Sequence, residues 1–127
     1  MYPRFRRITP CFVTVLVIFC GILAAAPRAA FAHAVLVSSR PAENGTVTGP
    51  QLAVLLKYNS RIDTGHSTLT LLAPDGKIED VAIGSRSGPN LLSANLTKLI
   101  KGAYVLRWQV LASDGHITRG EIPFQVK

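Results

Sequence analysis

An all-β sandwich is the fold this sequence predicts, and three features predict it. The segment after residue 32 alternates apolar and polar residues with period two, contains no long run with the 3.6-residue period of a helix, and meets turn residues at short intervals. The spacing predicts about seven antiparallel strands packed as a sandwich.

The chain opens differently. Arg4, Arg6 and Arg7 precede an apolar run from Ile8 to Ala26, and Ala30-Phe31-Ala32 places small residues at the two positions a signal peptidase reads. Residues 1–32 therefore read as a cleavable signal peptide and 33–127 as the mature domain, which begins at His33. An uncleaved membrane anchor is the alternative, because the apolar run approaches the ~20 residues that span a bilayer.

In the mature segment a short strand is expected at Ala34–Val37. Leu52, Val54, Leu56 and Tyr58 share one face of the next strand. Leu69 and Leu71 mark a third, which runs into Ala73-Pro74-Asp75-Gly76, where Pro presets φ and Gly accepts a positive φ. Ile78 to Ile83 is its hairpin partner. Residues 84–90 form a polar loop, and Leu91–Leu96 reads equally as strand or short helix. Tyr104, Leu106, Trp108 and Val110 line the clearest strand, and Ile122, Phe124 and Val126 the last. Trp108, set in a period-two apolar row, reads as the centre of a small core.

Cleavage leaves 95 of the 127 residues, enough for one domain. Four arginines leave with the leader while all seven acids stay, so the net charge of +7 falls to +3. A charge that small, spread without a run, gives no footprint for nucleic acid or anionic lipid. Cys11, Cys20 and the only methionine, Met1, are all removed, which excludes disulfides, thiolate zinc sites and cysteine nucleophiles from the mature protein. Any metal site must be built from nitrogen and oxygen.

Such a site can be assembled from two of the three histidines. Once freed, His33 carries an α-amine beside its imidazole, and the two nitrogens close a six-membered chelate ring on one ion. An α-amine has a reference pKa near ~7.7–8.0, so a strongly bound metal displaces its proton at little cost. Ser113-Asp114-Gly115-His116 lies between the last two strands. If extended, it directs Asp114 and His116 to the same side. Two nitrogens from His33, one from His116 and an oxygen from Asp114 suit tetragonal Cu(II), although zinc accepts a similar set. Taken singly, a histidine after a cleavage site can be accidental and Asp-Gly-His a plain polar turn. Their joint fit to one site carries the reading. His66, in Asp63-Thr64-Gly65-His66-Ser67, reads as a solvated loop residue, and Asp75, Glu79 and Asp80 as a solvated edge.

Over residues 33–127 the chain resembles the CopC family of periplasmic copper-binding proteins. His33-Ala34-Val35-Leu36 with Ser39-Arg40-Pro41-Ala42 is similar to the family's opening, and Tyr104 to Trp108 with Ser113 to His116 and Gly120 to Val126 is similar to its closing strands. The resemblance implies a seven-stranded Greek-key sandwich of immunoglobulin-like or cupredoxin-like type that holds one Cu(II) per chain through His33, Asp114 and His116. The family's Cu(I) site relies on methionines, and none remains here. Where the family often carries Ser-Glu-Pro, this chain has Asn59-Ser60-Arg61, so an acidic group that approaches the metal in some members is missing.

These readings imply a monomeric periplasmic copper carrier or buffer, not an enzyme, acting in copper resistance, homeostasis or uptake. A CopD-like inner-membrane transporter, if it is the partner, is expected to be a separate protein. Two alternatives stand beside this reading: a copper-dependent oxidative enzyme with a histidine-brace-like site, and a metal-free immunoglobulin-like interaction module.

Overall fold

The computed structural model describes residues 33–127; the expected leader, residues 1–32, lies outside the described residues. Eight strands follow in order: β1 (Leu36–Arg40), β2 (Gly45–Val47), β3 (Leu52–Tyr58), β4 (Ile62–Leu72), β5 (Ile78–Val81), β6 (Leu91–Leu96), β7 (Gly102–Ala112) and β8 (Ile117–Val126). They form a three-stranded sheet, β1-β3-β6, and a five-stranded sheet, β2-β8-β7-β4-β5. The all-β sandwich expected from the alternation is present.

Alternation builds it directly. Along β3 the even-numbered residues Leu52 to Tyr58 are buried and the odd-numbered ones exposed. Along β7, Tyr104, Leu106, Trp108, Val110 and Ala112 face inward. Leu92, Ala94 and Leu96 of β6 and Ile122, Phe124 and Val126 of β8 complete one apolar cluster drawn from both sheets. Each fully buried Leu, Ile, Val or Phe contributes about 1.5–3 kcal/mol of transfer free energy, so the facing rows are the main source of stability.

Trp108 is the core residue its apolar row predicts. Its indole meets the Tyr58 ring edge to face, with centroids 5.3 Å apart. Opposite it in the β7–β8 ladder stands Gly120, where any Cβ would collide with the indole. The glycine is there to let the largest side chain lie against backbone. Burial pushes the Tyr58 phenol well above its ordinary range, so it stays neutral.

The eighth strand is β2, which pairs parallel with β8 through Gly45↔Phe124 and Val47↔Val126, in a sandwich otherwise antiparallel. Three residues are too few to display a period, so the sequence carried no signal for it. The first strand begins two residues later than expected, at Leu36, although Ala34 is already buried. Leu91–Leu96 is a strand, paired with β3 over six residues. The turn after β4 forms as predicted: the Gly76 amide donates to Ala73 O at 3.0 Å and Gly76 has φ +86°. Glu79 and Asp80 lie on β5, an exposed edge strand bonded only to β4, in keeping with a solvated edge.

Candidate metal centre

One end of the sandwich gathers the chemistry. β7 and β8 are joined by Ser113, Asp114, Gly115 and His116, with Ala112 N–H donating to His116 O at 2.8 Å and Gly115 N–H to Ala112 O at 2.9 Å. Gly115 takes φ +87°, the left-handed position of a hairpin loop that favours glycine. Asp114 and His116 thus meet in a turn and not, as expected, on one side of an extended segment. Asp114 Oδ1 accepts the His116 amide at 3.0 Å, and Oδ2 lies 2.9 Å from His116 Nδ1. This Asx turn does what strand alternation was expected to do.

His33 arrives from the other end of the chain. Ala34 is buried, its carbonyl accepts the Thr118 hydroxyl at 3.0 Å, and Val35 is clasped by Asn59. The Val35 amide donates to Asn59 Oδ1 at 2.8 Å and the Asn59 amide donates to Val35 O at 3.0 Å. Asn59, where the resemblance leads one to expect an acid nearby, therefore fastens the segment that carries His33. Neither Asn59 nor Thr118 was legible as a functional residue, because each acts on the backbone of a residue distant in sequence.

The result is a converging set. His33 Nδ1 lies 3.5 Å from Asp114 Oδ2, the carboxylate oxygen that also meets His116. The two imidazoles stand edge to face with centroids 4.7 Å apart. One donor atom from each of His33, Asp114 and His116 can be chosen so that all lie within 4.8 Å of one another. An ion with bonds of ~2.0 Å separates cis donors by about 2.8 Å and trans donors by about 4 Å, so modest side-chain rotation closes these three around one ion. The imidazoles are about two-thirds exposed, whereas the Asp114 side chain is 17% exposed, leaving the site open from outside on a sheltered carboxylate. The His116 amide and ring hold that carboxyl below the usual carboxylate range, so it is ionised at neutral pH.

The remaining histidine, His66, is exposed as expected, although it sits in a bulged stretch of β4 instead of a loop before it. Its ring meets Asp63 at 2.8 Å.

A nitrogen-and-oxygen cluster at the end of a β-sandwich, with one arm supplied by the segment before the first strand, is an arrangement that could hold a metal ion. The CopC domain profile matches residues 36–127, and the chain belongs to that family. Copper resistance protein C of Xanthomonas campestris pv. juglandis is 33% identical over 121 residues, covering 90% of this chain and 94% of that protein. The crystal structure of CopC from Methylosinus trichosporium OB3b superposes with a TM-score of 0.67 at 30% identity, covering 75% of this chain and 94% of that one. Copper transport protein CutJ of Bacillus subtilis (strain 168) is 27% identical over 103 residues, 79% of this chain but 19% of that longer protein.

Proposed function

We propose that the chain is exported, cleaved after Ala32, and acts in the periplasm as a Cu(II) carrier or buffer that holds one ion at His33, Asp114 and His116. The observation that carries this reading is the approach of the His33 and His116 rings to the single oxygen Asp114 Oδ2. Cleavage adds the α-amine of His33, making three nitrogens and one oxygen, a donor set suited to tetragonal Cu(II).

Each residue has a separate task. His33 chelates, His116 supplies a nitrogen from the turn between β7 and β8, and Asp114 offsets charge while orienting the His116 ring. An anionic ligand beside three nitrogens favours the divalent state, so the cargo is held and passed on unchanged. The names of the Xanthomonas and Bacillus relatives, a copper resistance and a copper transport protein, support the cargo. The match to 19% of a copper transport protein supports a CopD-like copper transporter as the receiver.

Mass spectrometry of the exported protein, followed by Cu(II) titration of it and of His33→Ala and His116→Ala, tests the proposal. The expected N-terminus is His33, with one tight equivalent lost in both variants. A different N-terminus, or three proteins that bind alike, overturns it.

A further inference from the structure

All three histidines of the described residues place Nδ1 against an aspartate Oδ2, and one of these pairs has no part in the site above. We infer that Asp63 and His66 form a second Cu(II) site, weaker and faster to exchange than the first. The cargo is taken from the proposed function, whereas the pair itself needs neither leader cleavage nor His33.

The local geometry repeats that of Asp114 and His116. In both pairs one carboxylate oxygen is bound to backbone and the other to the ring. Asp63 Oδ1 accepts the Gly65 amide at 2.9 Å and the His66 amide at 3.2 Å, and Oδ2 lies 2.8 Å from His66 Nδ1. The Ser67 hydroxyl donates to Asp63 O, fastening the same bulge from the other side. The carboxylate is therefore held in place before an ion arrives; an ion that takes both atoms displaces to water the proton they share, and their 2.8 Å separation is about what two cis donors keep on bonds of ~2.0 Å. With the His66 side chain 74% exposed and Asp63 46%, nothing blocks the approach of a hydrated ion or of a ligand from another protein.

What the pair lacks defines its behaviour. Two protein donors leave the other positions to water, so the ion is held loosely and released easily. The pair also lies at the same end of the five-stranded sheet as the main site. Ile62 and Asp63 pair with Ala112 and Leu111, immediately before the turn that carries Asp114, with β7 between β4 and β8. An ion captured there is a short surface step from the tighter cluster.

The test is a two-equivalent Cu(II) titration of the protein purified from exporting cells, read by paramagnetic broadening of amide resonances and by electron paramagnetic resonance. The expected second equivalent broadens Asp63 to Thr68, disappears in His66→Ala, and leaves the first unaltered. Asp63→Asn retains the oxygen that accepts the two turn amides, so the bulge stays folded, and it weakens the second equivalent by at least about tenfold. A second equivalent unchanged in His66→Ala, or absent in the native protein, overturns the site. Loss of the first equivalent alone, in His33→Ala, overturns nothing here, which keeps failure of the main site distinct from failure of this one.

Discussion

Removing the fastenings of the N-terminal segment should weaken Cu(II) binding without altering the bound complex. Asn59→Ala deletes the acceptor of the Val35 amide, and Thr118→Val deletes the donor to Ala34 O while keeping the side chain's shape. Neither residue supplies a metal donor. Each bond contributes about 1 kcal/mol. When it is gone the segment frays, and apparent affinity falls with the fraction of molecules that still hold His33 beside Asp114. At 1.4 kcal/mol per tenfold, each single variant binds Cu(II) up to about 5-fold more weakly and the double variant up to about 30-fold. The loss cannot exceed the energy of the bonds removed, which bounds the effect from above. Competition with a chelator of known affinity measures it, and the electron paramagnetic resonance spectrum reports the donor set. A double variant that binds as the native protein does refutes the role of the fastenings. An altered spectrum refutes the assumption that only positioning was lost.

Three further outcomes follow from the same geometry. Gly115→Ala forces a side chain into φ +87°, costs about 1–2 kcal/mol, and lowers both thermal stability and Cu(II) affinity; a variant unchanged in both measurements removes the turn as the device that aims Asp114 at His116. Gly120→Ala drives a methyl group into the Trp108 ring, and denaturant unfolding should show a loss of about 1–3 kcal/mol, with native stability speaking against a packed indole at that position. The Asp114 carboxyl titrates below its ordinary range, so its contribution to folding is present above that range and is lost as pH falls through its lowered value. That carboxyl therefore adds no pH dependence to copper release between about pH 7 and pH 5. Asp114→Asn should bind more weakly at every pH yet keep the same slope there, and a flattened slope would assign the release to the carboxylate.

The fold was largely readable because β3, β7 and the second half of β8 bury every second residue, and a period of two survives in the sequence of any strand with one face in a core. What escaped was short or remote. β2 has three residues, and its parallel partner lies at the far end of the chain. Among the site residues, His33, Asp114 and His116 were legible as donors by type, and the structure brings them together. How Asp114 and His116 meet was not legible, since the same Asp-Gly-His serves as an extended segment or as a left-handed hairpin loop according to the pairing of β7 with β8. Asn59 stood out only as a departure from a pattern. Its contribution depends on the backbone of Val35, which no local spacing reveals. His66 looked like one solvated ring until Asp63 was found holding it.

The bond from Thr118 to Ala34 joins residues 84 positions apart. Synthesis runs from the N-terminus, so His33 is made long before the strand that anchors its segment. The cluster of His33, Asp114 and His116 is therefore among the last parts of the molecule to assemble, and it waits for the closing hairpin of the chain.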